Sequence, residues 1–166
     1  MIANARCLQD RIIGCQFLAL ITGKENTYFE RCFEELKCTE TEREQIGTAE
    51  VASNFISLMK DVSSQPYSPS KLGEILAVLV VCEWSYLSWG SAVSPHTNRD
   101  KSCWMMYEWV DLHSGESFEN VVEYLRQLLD KEGKLLDEEG KKRCLDRFLK
   151  AINLEEEFFE FAYRTD

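Results

Sequence analysis

A thiol, a phenol and an indole follow one another at helical spacing in the segment VCEWSYLSWG. Cys82, Tyr86 and Trp89 are separated by four and three residues, so a helix would present them on one face. A thiol on such a face is a candidate nucleophile if its pKa is lowered or a base lies beside it. The alternative is core packing, which is the commoner role of buried cysteines and aromatic residues.

Two carboxylates also fall among apolar residues. Glu155, in NLEEEFFEFAY, lies three residues before Phe158 and seven before Ala162, so it shares a helical face with them. A carboxylate on an apolar face is costly unless it has a partner or a function. Asp10, in CLQDRIIG, also shares a helical face with apolar residues, and taken alone it carries no functional signal.

These residues need helices to position them, and apolar side chains recur at helical spacing along most of the chain. Gly23 is expected to stop the first helix, the Thr39 to Glu42 spacing predicts a capping box, and Ser68 before Pro69 predicts another helix start. The predicted helices span residues 4–21 (with Asn4 as N-cap), 27–36, 39–62, 69–92, 104–113, 117–130 and 138–163.

The fold class that follows is all-α. No stretch alternates with a period of two for long enough to predict a strand, and no linker rich in Pro, Gly or Ser divides the chain. We therefore predict one helical bundle over residues 1–166. The helix over 69–92 is apolar on nearly every face, so we expect it to be the most buried element.

Charge and composition exclude several classes of protein. The net charge of −10 disfavours binding to nucleic acid or to anionic membranes. The longest apolar run, from Ile75 to Cys82, is far shorter than the roughly 20 residues that span a bilayer. Seven scattered cysteines without a CxxC pair indicate a reducing setting, so we expect a cytoplasmic protein with no nucleic-acid or membrane partner.

The order of four strings carries a family resemblance. A QD pair early in the chain is followed by C-E-W-x-Y, by WMMYEWVDLHSGESFENVVEYL and by an LExxFFxxAY end. This order resembles the TenA, or thiaminase II, family, whose members share a heme-oxygenase-like helical bundle. The match is best from Leu72 to Tyr163. Family chains are usually longer at the N-terminus by about one helix, so we expect a shortened member.

The resemblance implies hydrolysis of a C–N bond in thiamine salvage. The substrate would be an aminomethylpyrimidine formed by thiamine breakdown, or thiamine itself, and the product hydroxymethylpyrimidine. Cys82 matches the family nucleophile, Glu155 the carboxylate that handles the pyrimidine ring nitrogen, and Asp10 the acid that holds the amino group near the thiol. One thiol and two carboxylates suffice for this chemistry, so no metal or other cofactor is expected.

Three further residues are expected to bind the substrate. Tyr86 matches a tyrosine that lines the family pocket, and His113 stands where a tyrosine commonly follows the WVDL-type string. Glu83 stands beside Cys82, and one branch of the family uses a glutamate on this helix in place of the cysteine. Which of Cys82 and Glu83 is the key group stays open. The resemblance also implies a homo-oligomer, either a dimer or a tetramer.

Other functions of helical bundles compete with this hypothesis. A non-catalytic member that serves as a binding or assembly protein is favoured by the short N-terminus and by Ile13, where an aromatic residue is common. A di-iron site needs Glu-x-x-His pairs, but Val93 and Val110 stand three residues before His96 and His113. An axial heme ligand on an early helix is also missing, because His96 is the first histidine.

Overall fold

The structure is a computed structural model, and it describes residues 1–164. These residues form eight α-helices and contain no strand, which confirms the predicted all-α class. The helices are α1 (Leu8–Leu20), α2 (Asn26–Glu35), α3 (Glu40–Ile46), α4 (Glu50–Ser64), α5 (Lys71–Val93), α6 (Trp104–Leu112), α7 (Gly115–Gly133) and α8 (Glu138–Arg164).

The first predicted helix is wrong at both ends. Ile2–Asn4 forms a separate 3-10 turn, and the extended residue Cys7 precedes α1, so Asn4 is not the N-cap. Gly23 does not stop the helix, because Ile21–Glu25 is a π-helical turn that leads directly into α2. Gly23 keeps a negative φ there, whereas a glycine that ends a helix usually adopts a positive one.

The third predicted helix is two helices in the structure. The capping box at its start is present, since Thr39 Oγ1 accepts from the Glu42 amide and the Glu42 carboxylate accepts from the Thr39 amide. α3 nevertheless ends at Ile46, because Gly47 has a φ of +71°. This left-handed conformation is available to glycine at little cost and interrupts the helical hydrogen bonds.

The fourth predicted helix, α5, begins two residues later than expected. Its first residue is Lys71 rather than Pro69, and the buried Ser70 side chain donates a 2.8 Å hydrogen bond to Glu74 in the first turn. The seven consecutive residues from Leu72 to Val78 are all buried. No other described helix has so many buried residues, which confirms the prediction that this helix is the most buried element.

The segment that contains α5 has the length and hydropathy of a membrane span. Lys71–His96 is long and apolar enough to cross a bilayer, although the core helix of a globular protein meets the same criteria. Leu72 to Val78 within this span are buried inside the protein. The absence of a membrane partner stays a prediction.

The contacts within the chain divide it into two compact units. The first unit contains Met1, Thr48–Ser85 and the described residues from Val122 onward, and the second contains Ile2–Gly47 and Tyr86–Val121. A single domain over residues 1–166 stays a prediction.

The first unit is built around an apolar core from three helices. α4 packs against α8, and α5 supplies the central residues. The buried members of this core are Leu58, Val62, Ile75, Val78, Val81, Ala151 and Leu154. At its edge, Arg147 pairs with Asp61 at 2.6 Å and with the buried Glu74 at 3.4 Å. These ion pairs tie α4, α5 and α8 together and satisfy the Glu74 carboxylate.

The second unit is built around aromatic residues of α2 and α6. The Tyr28 ring stacks on Trp109 with 5.2 Å between ring centroids, and its hydroxyl donates to the Met105 carbonyl at 3.0 Å. Arg31 forms a two-pronged ion pair with Glu108, one contact of which is 3.0 Å long. These interactions hold α2 against α6.

Candidate active site

The inner faces of α5 and α8 bring a thiol and a carboxyl group together in the first unit. Cys82 follows Val78 by four residues on α5, and Glu155 follows Ala151 by four residues on α8. Because Val78 and Ala151 both belong to the apolar core, helical periodicity directs Cys82 and Glu155 toward the same region. The two side chains interact there, because each shifts the pKa of the other.

The Cys82 thiol makes a hydrogen bond within its own helix. Its sulfur lies 3.3 Å from the Val78 carbonyl oxygen, and the Glu155 carboxyl group lies near enough to shift the pKa of the thiol. A carbonyl oxygen can only accept, so the sulfur must carry its proton to make this bond. The resting state of the pair is therefore a thiol beside a carboxyl group.

The protonation of the pair follows from its burial. Burial, followed by the negative charges of Glu155 and Glu83, raises the pKa of the Cys82 thiol well above its usual range. Burial also raises the pKa of Glu155 to about 7, although its interaction with Cys82 acts in the opposite direction. The thiolate is thus not favoured at rest. A reactive thiol needs either a lowered pKa or a neighbouring base, and this site offers the base, Glu155.

Glu83 lies one residue further along α5 and is half-buried. Its negative charge is one cause of the raised pKa of Cys82, so the two groups interact electrostatically. In this position Glu83 opposes thiolate formation. A role for Glu83 in substrate binding stays a prediction.

Tyr86 and His113 meet in an aromatic cluster of the second unit. Their ring centroids are 4.9 Å apart, and the His113 ring also lies 4.1 Å from that of Trp109. Trp89 completes the cluster at 5.9 Å from His113. The indole nitrogen of Trp89 is buried and has no hydrogen-bond partner among the described residues. A role of Tyr86 and His113 in substrate binding stays a prediction.

The orientation of the buried His113 ring is fixed by a backbone contact. Its Nδ1 lies 2.8 Å from the Trp109 carbonyl oxygen and must donate to it, so the neutral ring has an unprotonated Nε2. That Nε2 lies 3.8 Å from a carboxylate oxygen of Glu25. Burial lowers the pKa of His113, with the carbonyl hydrogen bond opposing it, and burial raises the pKa of Glu25. Both groups are therefore shifted toward their neutral forms.

Asp10 lies in the first turn of α1, within the second unit, and only 6% of its surface is exposed. A carboxylate in the first turn of a helix is stabilised by the helix dipole. The structure thus groups Cys82, Glu83 and Glu155 in one unit, and Asp10 belongs to the other unit with Tyr86 and His113. The catalytic role of Asp10 stays a prediction.

Sequence reasoning did not identify two neighbours of His113. Trp109 precedes it by four residues on α6, so the helical spacing within WVDLH could have indicated this contact. Glu25 is distant in sequence and reaches His113 from the π-helical turn, which no local signal predicted. Within residues 1–164, no group of three or more His, Cys, Asp or Glu residues could hold a metal ion.

Comparison with known proteins places these features in a family. Residues 2–165 match the model of the TENA/THI-4/PQQC family, and the chain therefore belongs to this family. A curated relative from Halalkalibacterium halodurans, named aminopyrimidine aminohydrolase, is 28% identical over 122 residues. The alignment covers 74% of this chain and 52% of the relative, so the chain spans about half the length of that protein.

Proposed function

We propose that this chain hydrolyses the C–N bond of an aminomethylpyrimidine, or of thiamine, to give hydroxymethylpyrimidine in thiamine salvage. The observation that carries the proposal is the interaction between Cys82 and Glu155, each of which shifts the pKa of the other, on helical faces that point toward the same apolar core. Membership of the TENA/THI-4/PQQC family and the name of the curated relative agree with this reaction class.

In the first step, the Cys82 sulfur bonds to a carbon of the pyrimidine ring. Its proton passes to Glu155, and Glu155 delivers a proton to a ring nitrogen, so the ring accepts the new electron pair without gaining a negative charge. A carboxyl group whose pKa is about 7 suits this exchange, because its two protonation states are similarly populated at neutral pH. The nearby base removes the need for a free thiolate at rest.

In the second step, the exocyclic C–N bond breaks. The amine takes the electron pair of that bond and the proton on the ring nitrogen, and leaves as ammonia. Water then adds to the exocyclic carbon, the carbon–sulfur bond breaks, and the thiol regains its proton. In the net reaction, the aminomethylpyrimidine and water give hydroxymethylpyrimidine and ammonia. Cys82 and Glu155 return to their initial protonation states. With thiamine as substrate, the positively charged thiazolium nitrogen takes the electron pair and leaves as neutral thiazole without a proton, so one proton is released to the solvent.

The experiment is a turnover assay on the purified chain with both substrates. Ammonia release from the aminomethylpyrimidine and thiazole release from thiamine are followed for the wild type, for Cys82→Ser and for Cys144→Ser. Cys144 is a matched control, because it is a half-buried thiol of the same unit. We expect turnover of at least one substrate in the wild type and in Cys144→Ser, and none in Cys82→Ser.

A wild-type chain that releases neither product would contradict the proposal. The chain would then be a non-catalytic binding or assembly protein that keeps the helical fold. Full activity in Cys82→Ser would instead remove Cys82 from the mechanism and favour Glu83.

A further inference from the structure

A second candidate site lies in the second unit, in an open groove of about 1240 Å³ between two helical faces. One wall runs along α1, the π-helical turn and α2, where its residues recur every three to four positions. The other wall is one face of α6, and Arg99 lies at the margin. A groove of this size exceeds the volume of an inorganic ion and suits a small organic molecule.

The charge of this groove differs from that of the chain as a whole. The chain has a net charge of −10, but the groove is lined by Lys24, Arg31 and Arg99 against the carboxylates of Glu108 and Asp111. Arg31 is occupied, since it pairs with Glu108 and covers the Trp104 ring at 5.1 Å. Neither Lys24 nor Arg99 has an ion-pair partner in the described part of the chain.

The remaining lining residues complement these two cations. The Tyr107 ring makes no ring contact or side-chain hydrogen bond with the described residues, so it can stack against a flat ligand. The Asp111 carboxylate is likewise without an ion pair there and can accept from an N–H or O–H group. Lys24 belongs to the π-helical turn, and such turns occur frequently at functional sites.

We propose that this groove binds a phosphate ester of a heteroaromatic compound. Lys24 and Arg99 contact the phosphate, Arg99 through its planar guanidinium fork and Lys24 as a point charge. Tyr107 stacks on the aromatic ring, and Asp111 accepts a hydrogen bond from a donor on that ring. This site is independent of Cys82 and Glu155, and binding to it does not depend on the proposed hydrolysis.

The test is calorimetric titration of the full chain with three probes. Adenosine monophosphate carries both the ring and the phosphate, adenosine carries the ring alone, and pyrophosphate carries the anion alone. We expect adenosine monophosphate to bind the wild type at least tenfold more tightly than either other probe. The double variant Lys24→Gln with Arg99→Gln should weaken it at least tenfold, since it removes both charged donors to the phosphate.

A matched control separates this effect from the loss of overall charge. Lys60→Gln with Lys134→Gln also removes two positive charges, from exposed positions of the first unit. It should leave the affinity for adenosine monophosphate unchanged within about twofold. Tyr107→Leu should reduce the preference for adenosine monophosphate over pyrophosphate.

Any one of the following results would overturn the proposal. The first is no measurable binding of adenosine monophosphate at millimolar concentration. The second is equal weakening in the groove variant and the control, which would indicate non-specific attraction. The third is binding of pyrophosphate as tight as that of adenosine monophosphate, or a Tyr107→Leu variant with unchanged preference, which would exclude recognition of the ring.

Discussion

The Cys82 thiol and the Glu155 carboxyl group each shift the pKa of the other, and burial raises the pKa of both. Burial thereby favours the neutral form of each group. The effects of the two groups on each other's pKa have opposite signs. The carboxylate makes the thiol harder to ionise, and the thiol makes the carboxylate easier to keep ionised. Three consequences of this relationship can be measured separately from each other.

The stability of the protein should depend on pH through Glu155. Its pKa is about 7 in the folded chain against 4.5 as the ordinary value, so between these pH values the folded state binds the proton more tightly. Below pH 4.5 Glu155 is protonated in both the folded and the unfolded chain, so it does not destabilise the fold. Its destabilising effect grows as the pH rises through 7, where the folded chain must ionise the buried carboxyl group. The full difference is of the order of 3 kcal/mol.

Replacing Glu155 by Gln should remove this dependence. We measure the free energy of unfolding with urea at pH 4.5 and pH 8. Relative to the wild type, Glu155→Gln should be more stable at pH 8 than at pH 4.5. Glu156→Gln changes an exposed neighbour on the same helix and should follow the wild type at both values. A wild type and Glu155→Gln variant with parallel pH profiles would contradict the raised pKa.

The second prediction concerns the reactivity of the thiol. Cys82 should react with iodoacetamide more slowly than the exposed Cys7 and Cys15, because it is buried and its pKa is raised. Glu155→Gln and Glu83→Gln should each accelerate alkylation of Cys82, since both carboxylates raise that pKa. Peptide mass spectrometry at several times of reaction gives each rate, and the exposed cysteines serve as internal controls. Alkylation of Cys82 at the rate of the exposed thiols would disprove this description.

The third prediction assigns the nucleophile. Cys82→Ser should abolish turnover while leaving the helical circular dichroism and melting temperature close to those of the wild type, because the hydroxyl occupies a similar position but is a much weaker nucleophile. Glu83→Gln should keep substantial activity under the same conditions. The opposite pattern, with an active Cys82→Ser and an inactive Glu83→Gln, would make Glu83 the key group.

A fourth prediction tests the packing of the second unit. A Cβ atom on Gly90 would lie 2.2 Å from the backbone carbonyl oxygen of His113, and neither backbone can move aside cheaply. Gly90→Ala should therefore lower the stability by about 3 kcal/mol or more. The control is Gly23→Ala, where nothing lies within 4 Å and the helical conformation is retained. That change should raise the stability by about 0.5–1 kcal/mol.

Thermal unfolding followed by circular dichroism compares these two glycine variants directly. Gly90→Ala should melt below the wild type and Gly23→Ala at or above it. Equal melting temperatures for both variants would show that α5 does not approach His113 as closely as the structure indicates.

Much of the fold could be predicted because local patterns determine it. Helical periodicity gave the all-α class, and the Thr39 to Glu42 capping box gave the start of α3. The errors arose where a glycine signal has two meanings. Gly47 adopts the left-handed conformation and ends a helix, whereas Gly23 keeps helical geometry inside a π-helical turn. The sequence around each glycine does not distinguish these two outcomes.

The candidate site was predictable only in part. Cys82 and Glu155 were selected by family resemblance and by their position on apolar helical faces, and the structure brings them together. Their pKa values could not be predicted, since these depend on burial by residues distant in sequence. The same is true of the contact between Glu25 and His113, which needs the π-helical turn to form.

The most direct test of the proposed function is the rate of aminomethylpyrimidine hydrolysis at pH 7 in Glu155→Gln. The amide keeps the shape of the side chain but can neither take a proton from Cys82 nor deliver one to the ring nitrogen. We expect kcat/KM to fall by about a hundredfold or more, the usual contribution of general acid–base catalysis, while Glu156→Gln stays near the wild type. A Glu155→Gln variant with an unchanged rate would contradict the proposed partnership between Cys82 and Glu155.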